Sequence, residues 1–429
     1  METFELYSIF TSCDDVCTDT RKISENCLFF ALKGDNFDAN EFAVEALNKG
    51  AAFAVVDNKE LKKLDNNKLI IVDDVLETLQ DLATYHRYHL GVPIISLTGS
   101  NGKTTTKELI HAVLSKHYNT IATIGNLNNH IGVPLSLLRL TEETDLGIIE
   151  MGANHQGEIE DLCDIALPDF GYITNFGRAH LEGFGGVEGV IKGKSELYNY
   201  LSENNKTAFV NFDDPIQIDK TSSLTRFGFS TENNSLANVQ ITKSFAQPMA
   251  TIEVNNTIIQ SNLTGLYNVP NIAAAVSLGI FFNIPINTIK EAIEEYVPNN
   301  NRSQWVKTDN HDILLDAYNA NPSSMFAAIS NFKELNAPSK FMILGDMFEL
   351  GDAANDEHQK IISQVITTEI PTYFVGSHFS KIKINNDNLM YFNNLEELID
   401  FTKDNTINAT SILIKGSRGM ALEKILSHL

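Results

Sequence analysis

Apolar residues in this chain come either in short unbroken runs or at helical spacing, and the two kinds alternate over most of its length. Unbroken runs bounded by polar turn residues read as buried strands. They fall at residues 27–32, 52–56 and 69–72, then at 93–97, 146–149 and 172–174, and later at 313–315, 341–344, 372–375 and 411–414. Helical spacing is clearest after the run at 93–97, where Leu109, Ile110, Val113 and Leu114 share one face. A further helix is expected near 41–49. Strands that alternate with helices predict parallel sheets covered on both faces, an α/β class.

The chain has 429 residues, too many for one ordinary core. The polar, turn-rich stretch 298–303 (PNNNRS) reads as a linker, and Pro93 opens a unit after a connecting helix that ends near 86–89. The expected division is therefore 1–85, 86–298 and 299–429. His86 and His89 are three apart and could suit a metal, but a solvated helix face is the simpler expectation. No internal repeat is evident.

A net charge of −23 argues against duplex nucleic acid or an anionic membrane as partner. The first residues, METFELYSIF, lack the basic region of a signal peptide, and the apolar run 272–282 is too short to cross a bilayer. Cys13, Cys17, Cys27 and Cys163 show no metal-ligand spacing and read as reduced thiols. A soluble, cytoplasmic protein without membrane insertion is expected, and anionic substrates would need local cations.

The richest chemistry lies in VPIISLTGSNGKTTTKELIHAVLSKH, residues 92–117. A strand, a tight glycine turn and a helix put backbone N–H groups and a positive helix end where a phosphate can sit. Gly99, Ser100, Asn101, Gly102, Lys103, Thr104 and Thr105 form this loop. Lys103 would meet the outer phosphates and the Thr104 hydroxyl would ligate Mg²⁺. Leu97 stands where the common loop has its first glycine, so Gly99 anchors the turn instead. Glu150 and His180 follow two other strands; if those strands flank the phosphate strand, both converge on the nucleotide. Lys194 reads as an ordinary helix lysine, with a carbamate as its chemical alternative. Asn126, Asn128 and Asn129 offer amides for a polar substrate. Asn268 and Asn271 open an apolar helix, as caps or as readers of adenine. Asp316, Tyr318, Asn319 and Asn321, and likewise Lys415 and Arg418, follow late strands directly and suggest a second ligand-facing surface.

On these residues the sequence resembles the Mur ligase family. TGSNGKTTTKE is shared with folylpolyglutamate synthases, whereas TIGNLNNHIGVP, EMGANHQGEI, NFGRAHLEGF, DAYNANPSSM and LGDMFELG look like the subgroup that adds D-alanyl-D-alanine to UDP-N-acetylmuramoyl-tripeptide. The resemblance implies three domains: an N-terminal UDP-binding α/β domain, a central P-loop ATPase domain, and a mobile Rossmann-like C-terminal domain that closes for catalysis. It implies ATP as cofactor, two Mg²⁺ ions held by Thr104, Glu150, His180 and a carbamylated Lys194, and adenine recognition by Asn268 and Asn271 with Arg302 in the linker. Residues 19–34 are similar to the family's UDP-binding segment, which assigns Thr20, Arg21 and Lys33 to that ligand. The implied reaction is amide formation through an acyl phosphate, in a monomer. Two positions depart from the family: Asn301 stands where a glycine is usual, and FDAN at 37–40 replaces FDGH. Rival readings are another amide ligase of this fold, a P-loop NTPase that only hydrolyses nucleotide, and a non-catalytic binding protein.

Overall fold

The computed structural model, which describes residues 1–34 and 36–429, gathers the expected strands into three largely parallel sheets. The first has four parallel strands in the order Asp15–Cys17, Cys27–Phe30, Phe53–Val56 and Leu69–Ile71. Both of its faces are covered, which is why its strands are apolar without alternation. Leu28 and Phe30 face helix Val75–Leu90, and Cys27 and Phe29 join the core with Ala43 and Ala46 of helix Ala43–Asn48.

The central sheet has nine strands. Ile94–Thr98 lies inside it, between Leu146–Glu150 and Phe170–Ile173, all parallel. Next to Phe170–Ile173 come Thr207–Asn211, Thr225–Ser230 and Val239–Ala246, still parallel. The sheet then departs from the expected alternation of strand and helix, because Met249–Val254 and Thr257–Thr264 extend it as an antiparallel hairpin. The cause is local: Asn255 and Asn256 adopt φ of 49° and 60°, the left-handed pair that a two-residue hairpin turn requires. The apolar run at 272–282 belongs to helix Val269–Phe281, buried along most of its length against helix Lys103–Leu114. Among the described residues, no helix is long and apolar enough to cross a membrane.

The third sheet has six strands, with Gln304–Lys307 antiparallel at one edge and then Asp312–Asp316, Ser411–Lys415, Lys340–Gly345, Thr372–Val375 and Leu389–Phe392 in parallel. The loops 316–321, 345–350 and 416–419 leave the carboxyl ends of neighbouring strands, where open α/β sheets bind ligands.

The first and central sheets share one continuous apolar core. Helix Val75–Leu90 joins them, starting at Asp74, whose carboxylate accepts the Glu77 N–H at 2.8 Å, and stopping at Gly91 with φ of 64°. The helix runs through the expected division at residue 85. The expectation of a solvated face at 86–89 is corrected for its first half: His86 and Arg87 are buried, and only Tyr88 and His89 are exposed. Arg87 donates to Asp169 at 2.5 Å and to the Ala166 and Leu167 carbonyls, and Asp169 also accepts the Ile94 N–H at 3.0 Å. This clamp fixes the start of the phosphate strand. The four cysteines are free thiols, three of them buried.

His86 carries a pH prediction. Its ring lies against the Leu140 carbonyl at 2.9 Å and the Tyr7 hydroxyl at 3.2 Å, and burial holds its pKa below the ordinary 6.5. The unfolded chain then binds a proton more readily than the folded one. The neutral ring's contribution is complete above about pH 6.5 and is lost as pH falls toward the depressed folded value. Thermal melts at pH 7.5 and pH 5 should show a smaller acid-side loss of Tm for His86→Gln than for the parent protein; equal losses would refute this.

Candidate active site

The phosphate strand ends at Thr98 and the next residue must turn at once. Gly99 has φ of +141°, and a Cβ there would stand 2.0 Å from Thr174 Oγ1. Gly102, at φ +80°, is the N-cap of helix Lys103–Leu114, and a Cβ there would meet Asn271 Oδ1 at 2.6 Å. These two glycines let the turn press against both neighbours. The turn is held mainly by the adjacent loop. Ser100 N–H donates to the Asn175 carbonyl at 3.1 Å, Asn101 N–H donates to Asn175 Oδ1 at 3.1 Å, and the Asn101 carbonyl accepts from Thr174 Oγ1 and Asn175 Nδ2. Two turn amides expected to face a phosphate are thus engaged, which leaves the first N–H groups of the helix for that work.

Lys103 Nζ reaches back to the Gly99 carbonyl at 2.7 Å, and burial pushes its pKa below the ordinary lysine value against the opposing pull of Glu150. The strand order does bring Glu150 beside the loop, with Leu97 paired to Glu150 in register. Glu150 is 1% exposed; Oε1 accepts from Asn128 Nδ2 at 2.7 Å, and Oε2 has no partner. Thr104 Oγ1 is also buried and unpartnered. Two hard oxygen donors left unpaired beside a phosphate loop fit Mg²⁺, which takes oxygen ligands from protein, phosphate and water. Among the described residues, no three His, Cys, Asp or Glu side chains converge as a metal cluster, so phosphate and water oxygens would complete such a site.

His180 lines the same cavity, in a left-handed conformation with φ of 53°. Its Nδ1 lies against the Glu349 carboxylate, and the hydrogen bond from His180 holds the Glu349 carboxyl below its usual range. Lys194 is 1% exposed. Its Nζ donates to the Ala153 carbonyl at 3.0 Å and sits 4.9 Å from the Phe184 ring centre. Burial, then the Lys103 charge, push its pKa well below the ordinary lysine value, so it is no solvated helix lysine.

The cavity has a volume of about 1080 Å³. Its floor is Ser100, Asn101, Gly102, Lys103 and Thr105, and one wall carries Asn126, Asn128, Asn129, Glu150 and His180. Asn129 also accepts the Ile131 and Gly132 N–H groups. Asn268 and Asn271 form another wall. Asn268 occupies the N-cap position of its helix but makes no capping bond; it donates to the Thr264 carbonyl and accepts from Asn271, which accepts from Thr106.

The facing side comes from the third sheet: Arg302, Asp316, Tyr318, Asn319, Asn321 and Lys415. Lys415, 2% exposed, is paired with Asp316 at 2.6 Å and donates to the Asn319 carbonyl, so its charge is largely neutralised. The Arg302 and Arg418 guanidiniums lie 3.8 and 4.8 Å from the Tyr318 ring centre. Asn321 Nδ2 donates to Asn101 Oδ1 at 2.7 Å, a direct bond between the third sheet's unit and the phosphate loop.

Gly99, Thr104, Lys194 and Arg418 stand outside the lining itself. Thr20, Arg21 and Lys33 belong to the first unit and do not reach this cavity; Arg21 pairs with Asp19, Lys33 with Asp57, and the Thr20 carbonyl accepts from Lys49. The two departures have physical accounts. Asn301 has φ of 56°, a left-handed conformation that asparagine tolerates better than other side-chain-bearing residues, so it can follow a glycine's backbone. Asn40 is buried, donates to Asp38 and Asp57, and accepts the Asp57 and Asn58 N–H groups. Asn175 and Gly177, which support the phosphate loop, and Glu349 were not among the residues expected from sequence to form the site; the strand-end position of Asn175 was the available signal.

A cavity floored by a phosphate loop and roofed by strand-end loops of a second α/β sheet defines a nucleotide-dependent enzyme in which the roof must meet the floor. Comparison with known proteins agrees. Three family profiles match: "Mur ligase family, catalytic domain" at residues 14–87, "Mur ligase middle domain" at 97–279, and "Mur ligase, glutamate ligase domain" at 301–418. The chain belongs to the Mur ligase family. It is similar to the UDP-N-acetylmuramoyl-tripeptide–D-alanyl-D-alanine ligase of Bacillus subtilis, with 36% identity covering 96% of this chain and 92% of that protein. The Escherichia coli enzyme of the same name is 34% identical, covering 99% and 95%. The crystal structure of MurF from Acinetobacter baumannii superposes with a TM-score of 0.87 at 29% identity, covering 99% of this chain and 97% of that one.

Lys103→Ala should lower kcat by about 10²–10³-fold, the size expected when one preorganised positive group at a transferring phosphoryl is lost. Its Tm should change little, because the side chain is only partly buried and lines the cavity. Steady-state kinetics and a thermal melt check both halves.

Proposed function

We propose that this chain joins D-alanyl-D-alanine to UDP-N-acetylmuramoyl-tripeptide with ATP, giving the pentapeptide precursor of peptidoglycan. Relatives that carry this activity in their names align over nearly its whole length. The observation that carries the reading is the shared cavity. A nucleotide hydrolase needs only water beside its phosphate loop, whereas a ligase must bring a carboxylate, a γ-phosphate and an amine together under cover.

In this reading the tripeptide's terminal carboxylate oxygen attacks the γ-phosphorus, and the bond to the β-phosphate oxygen breaks to release ADP. The acceptor amine then attacks the acyl carbon, loses a proton, and expels inorganic phosphate. Lys103 and the helix N–H groups neutralise charge that builds on the moving phosphoryl group. Thr104 and Glu150 would hold Mg²⁺, which supplies further neutralisation when bound. Asn268 and Asn271 would read the adenine and Arg302 the nucleotide's far side. Asn126, Asn128 and Asn129 would meet the peptide, while Thr20, Arg21 and Lys33 would serve the UDP group on the first sheet. Asp316, Tyr318, Asn319 and Asn321 frame the acceptor's end. Arg418 is the freer cation for the acceptor carboxylate, since Lys415 is already paired.

Lys194 is proposed as a carbamate. Its burial favours the neutral amine, the form that can attack carbon dioxide and lose a proton. The carbamate oxygens, with His180, would complete a second Mg²⁺ site. The protein is proposed to act as a monomer in the cytoplasm, where ATP and a nucleotide-linked substrate are found.

With ATP, Mg²⁺ and UDP-N-acetylmuramoyl-tripeptide, phosphate should be released only when D-alanyl-D-alanine is added, with a UDP-pentapeptide by mass. Acceptor-independent release would favour an NTPase, glutamate as preferred acceptor a folate-type ligase, and no turnover a binding protein. Lys194→Ala should lose most activity and recover part of it with millimolar short carboxylic acids. Full activity of the parent enzyme in carbon-dioxide-depleted buffer, together with an active Lys194→Ala enzyme, would rule out the carbamate.

A further inference from the structure

Arg178 belongs to neither the cavity lining nor the assigned ligand sets. It nevertheless stands where the loop supporting the phosphate turn meets the third sheet's unit, two residues before the His180–Glu349 contact. On its N-terminal side, Asn175 carries the backbone of Ser100 and Asn101, and the Gly177 carbonyl and N–H are both bonded to Ser100 Oγ at 2.9 Å. Its own N–H donates to Ser323 Oγ at 3.0 Å, in the first turn of helix Pro322–Glu334. Its guanidinium reaches Glu357 Oε1 at 3.1 Å on helix Ala354–Ile366.

Glu357 is an unusual partner. Its side chain is 2% exposed, Oε2 is buried with no hydrogen-bond partner, and the other cation on Oε1 is Lys360, one turn along the same helix at 2.8 Å. A buried carboxylate so placed has one cation within its own unit, Lys360, and Arg178 of the central unit adds a second on the same oxygen. Asn321, which touches Asn101, begins the helix that Ser323 continues. The position of Arg178 against Glu357 and Ser323 therefore sets where residues 316–321 stand over the phosphate loop.

We propose that Arg178 is an interdomain positioning residue whose pairing with the buried Glu357 docks the third sheet's unit onto the phosphate-loop support, aligning the acceptor side with the nucleotide side. This rests on the ligase reading above for its kinetic consequence but not for its structural one. Arg178 acts through position and touches neither nucleotide nor acceptor. Its loss should spare nucleotide binding and impair the step that needs both sides.

The test compares the parent protein with Arg178→Ala, Arg178→Lys, Glu357→Gln and the Arg178→Ala/Glu357→Gln double variant, each of full length and checked by thermal melt. Arg178 is half-exposed, so Arg178→Ala should fold even if the buried Glu357→Gln does not. In Arg178→Ala the kcat/KM for D-alanyl-D-alanine should fall on the order of tenfold, between the effects of exposed and buried pairs. The Kd for ADP should stay within about twofold, the same order as unrelated surface changes. Arg178→Lys should recover part of the loss, and the double variant should be no worse than the poorer single one. Small-angle scattering of the ligand-free protein should give a larger radius of gyration for Arg178→Ala than for the parent. Unchanged acceptor kinetics and scattering in Arg178→Ala, or an ADP affinity that falls in step with activity, would overturn the proposal. A parent protein that does not ligate would instead overturn the function reading, and the scattering comparison would still decide whether Arg178 holds the two units together.

Discussion

The site depends on a turn that does not hold itself. Between Thr98 and Lys103 the backbone bends through two left-handed glycines, and the groups that fix it come largely from Thr174, Asn175 and Gly177 on the next strand's loop. That support exists only because Ile94–Thr98 and Phe170–Ile173 are neighbours in a parallel sheet, so their carboxyl ends emerge side by side. The same sheet order delivers Glu150 from the opposite neighbour. Upstream, the Arg87–Asp169 clamp ties the start of the phosphate strand to the helix that joins the first two sheets. The geometry around a bound phosphate is thus inherited from strand pairing on both flanks.

Electrostatics gives this arrangement its chemical direction. A chain with a net charge of −23 repels anions at long range, whereas the lysines around this cavity are desolvated or paired. Lys103 and Lys194 are held below their ordinary pKa by burial, while Lys415 is neutralised by Asp316. The unpartnered oxygens of Thr104 and Glu150 make the complementary request for a cation. Unpaired donors and acceptors in one small volume are costly in the free protein, and ligand charge relieves them. That is a physical reason for a site to bind nucleotide and metal together.

The third sheet's unit meets this centre through few but specific polar contacts: Asn321 to Asn101, Arg178 to Ser323 and Glu357, and Glu349 to His180. Farther along the same junction, Tyr267 bonds Ser303 and Trp305 bonds Thr264. Polar junctions of this kind separate at lower cost than an apolar core, because water can replace each lost bond. By contrast, the first and central sheets share a continuous apolar core and move as one body by the same argument.

Much of this was legible along the chain. Unbroken apolar runs marked the buried strands because parallel sheets are covered on both faces, and Gly99, Gly102 and Lys103 marked the phosphate loop because only certain residues fit that backbone and charge. Glu150 and His180 stood out as polar residues just beyond apolar strands. Other features depended on contacts between distant segments. The sequence could not tell that His86 and Arg87 turn inward, since their surroundings come from residues 140 and 166–169. It could not assign Asn128 to Glu150, Lys415 to Asp316, or Asn268 to an amide chain in place of a cap. The Asn255–Asn256 turn was present in the sequence, but the hairpin it closes was missed. Local backbone preference and burial are written into neighbouring residues, whereas the partner of a polar side chain is chosen by the strand order and docking that bring remote residues within hydrogen-bond reach.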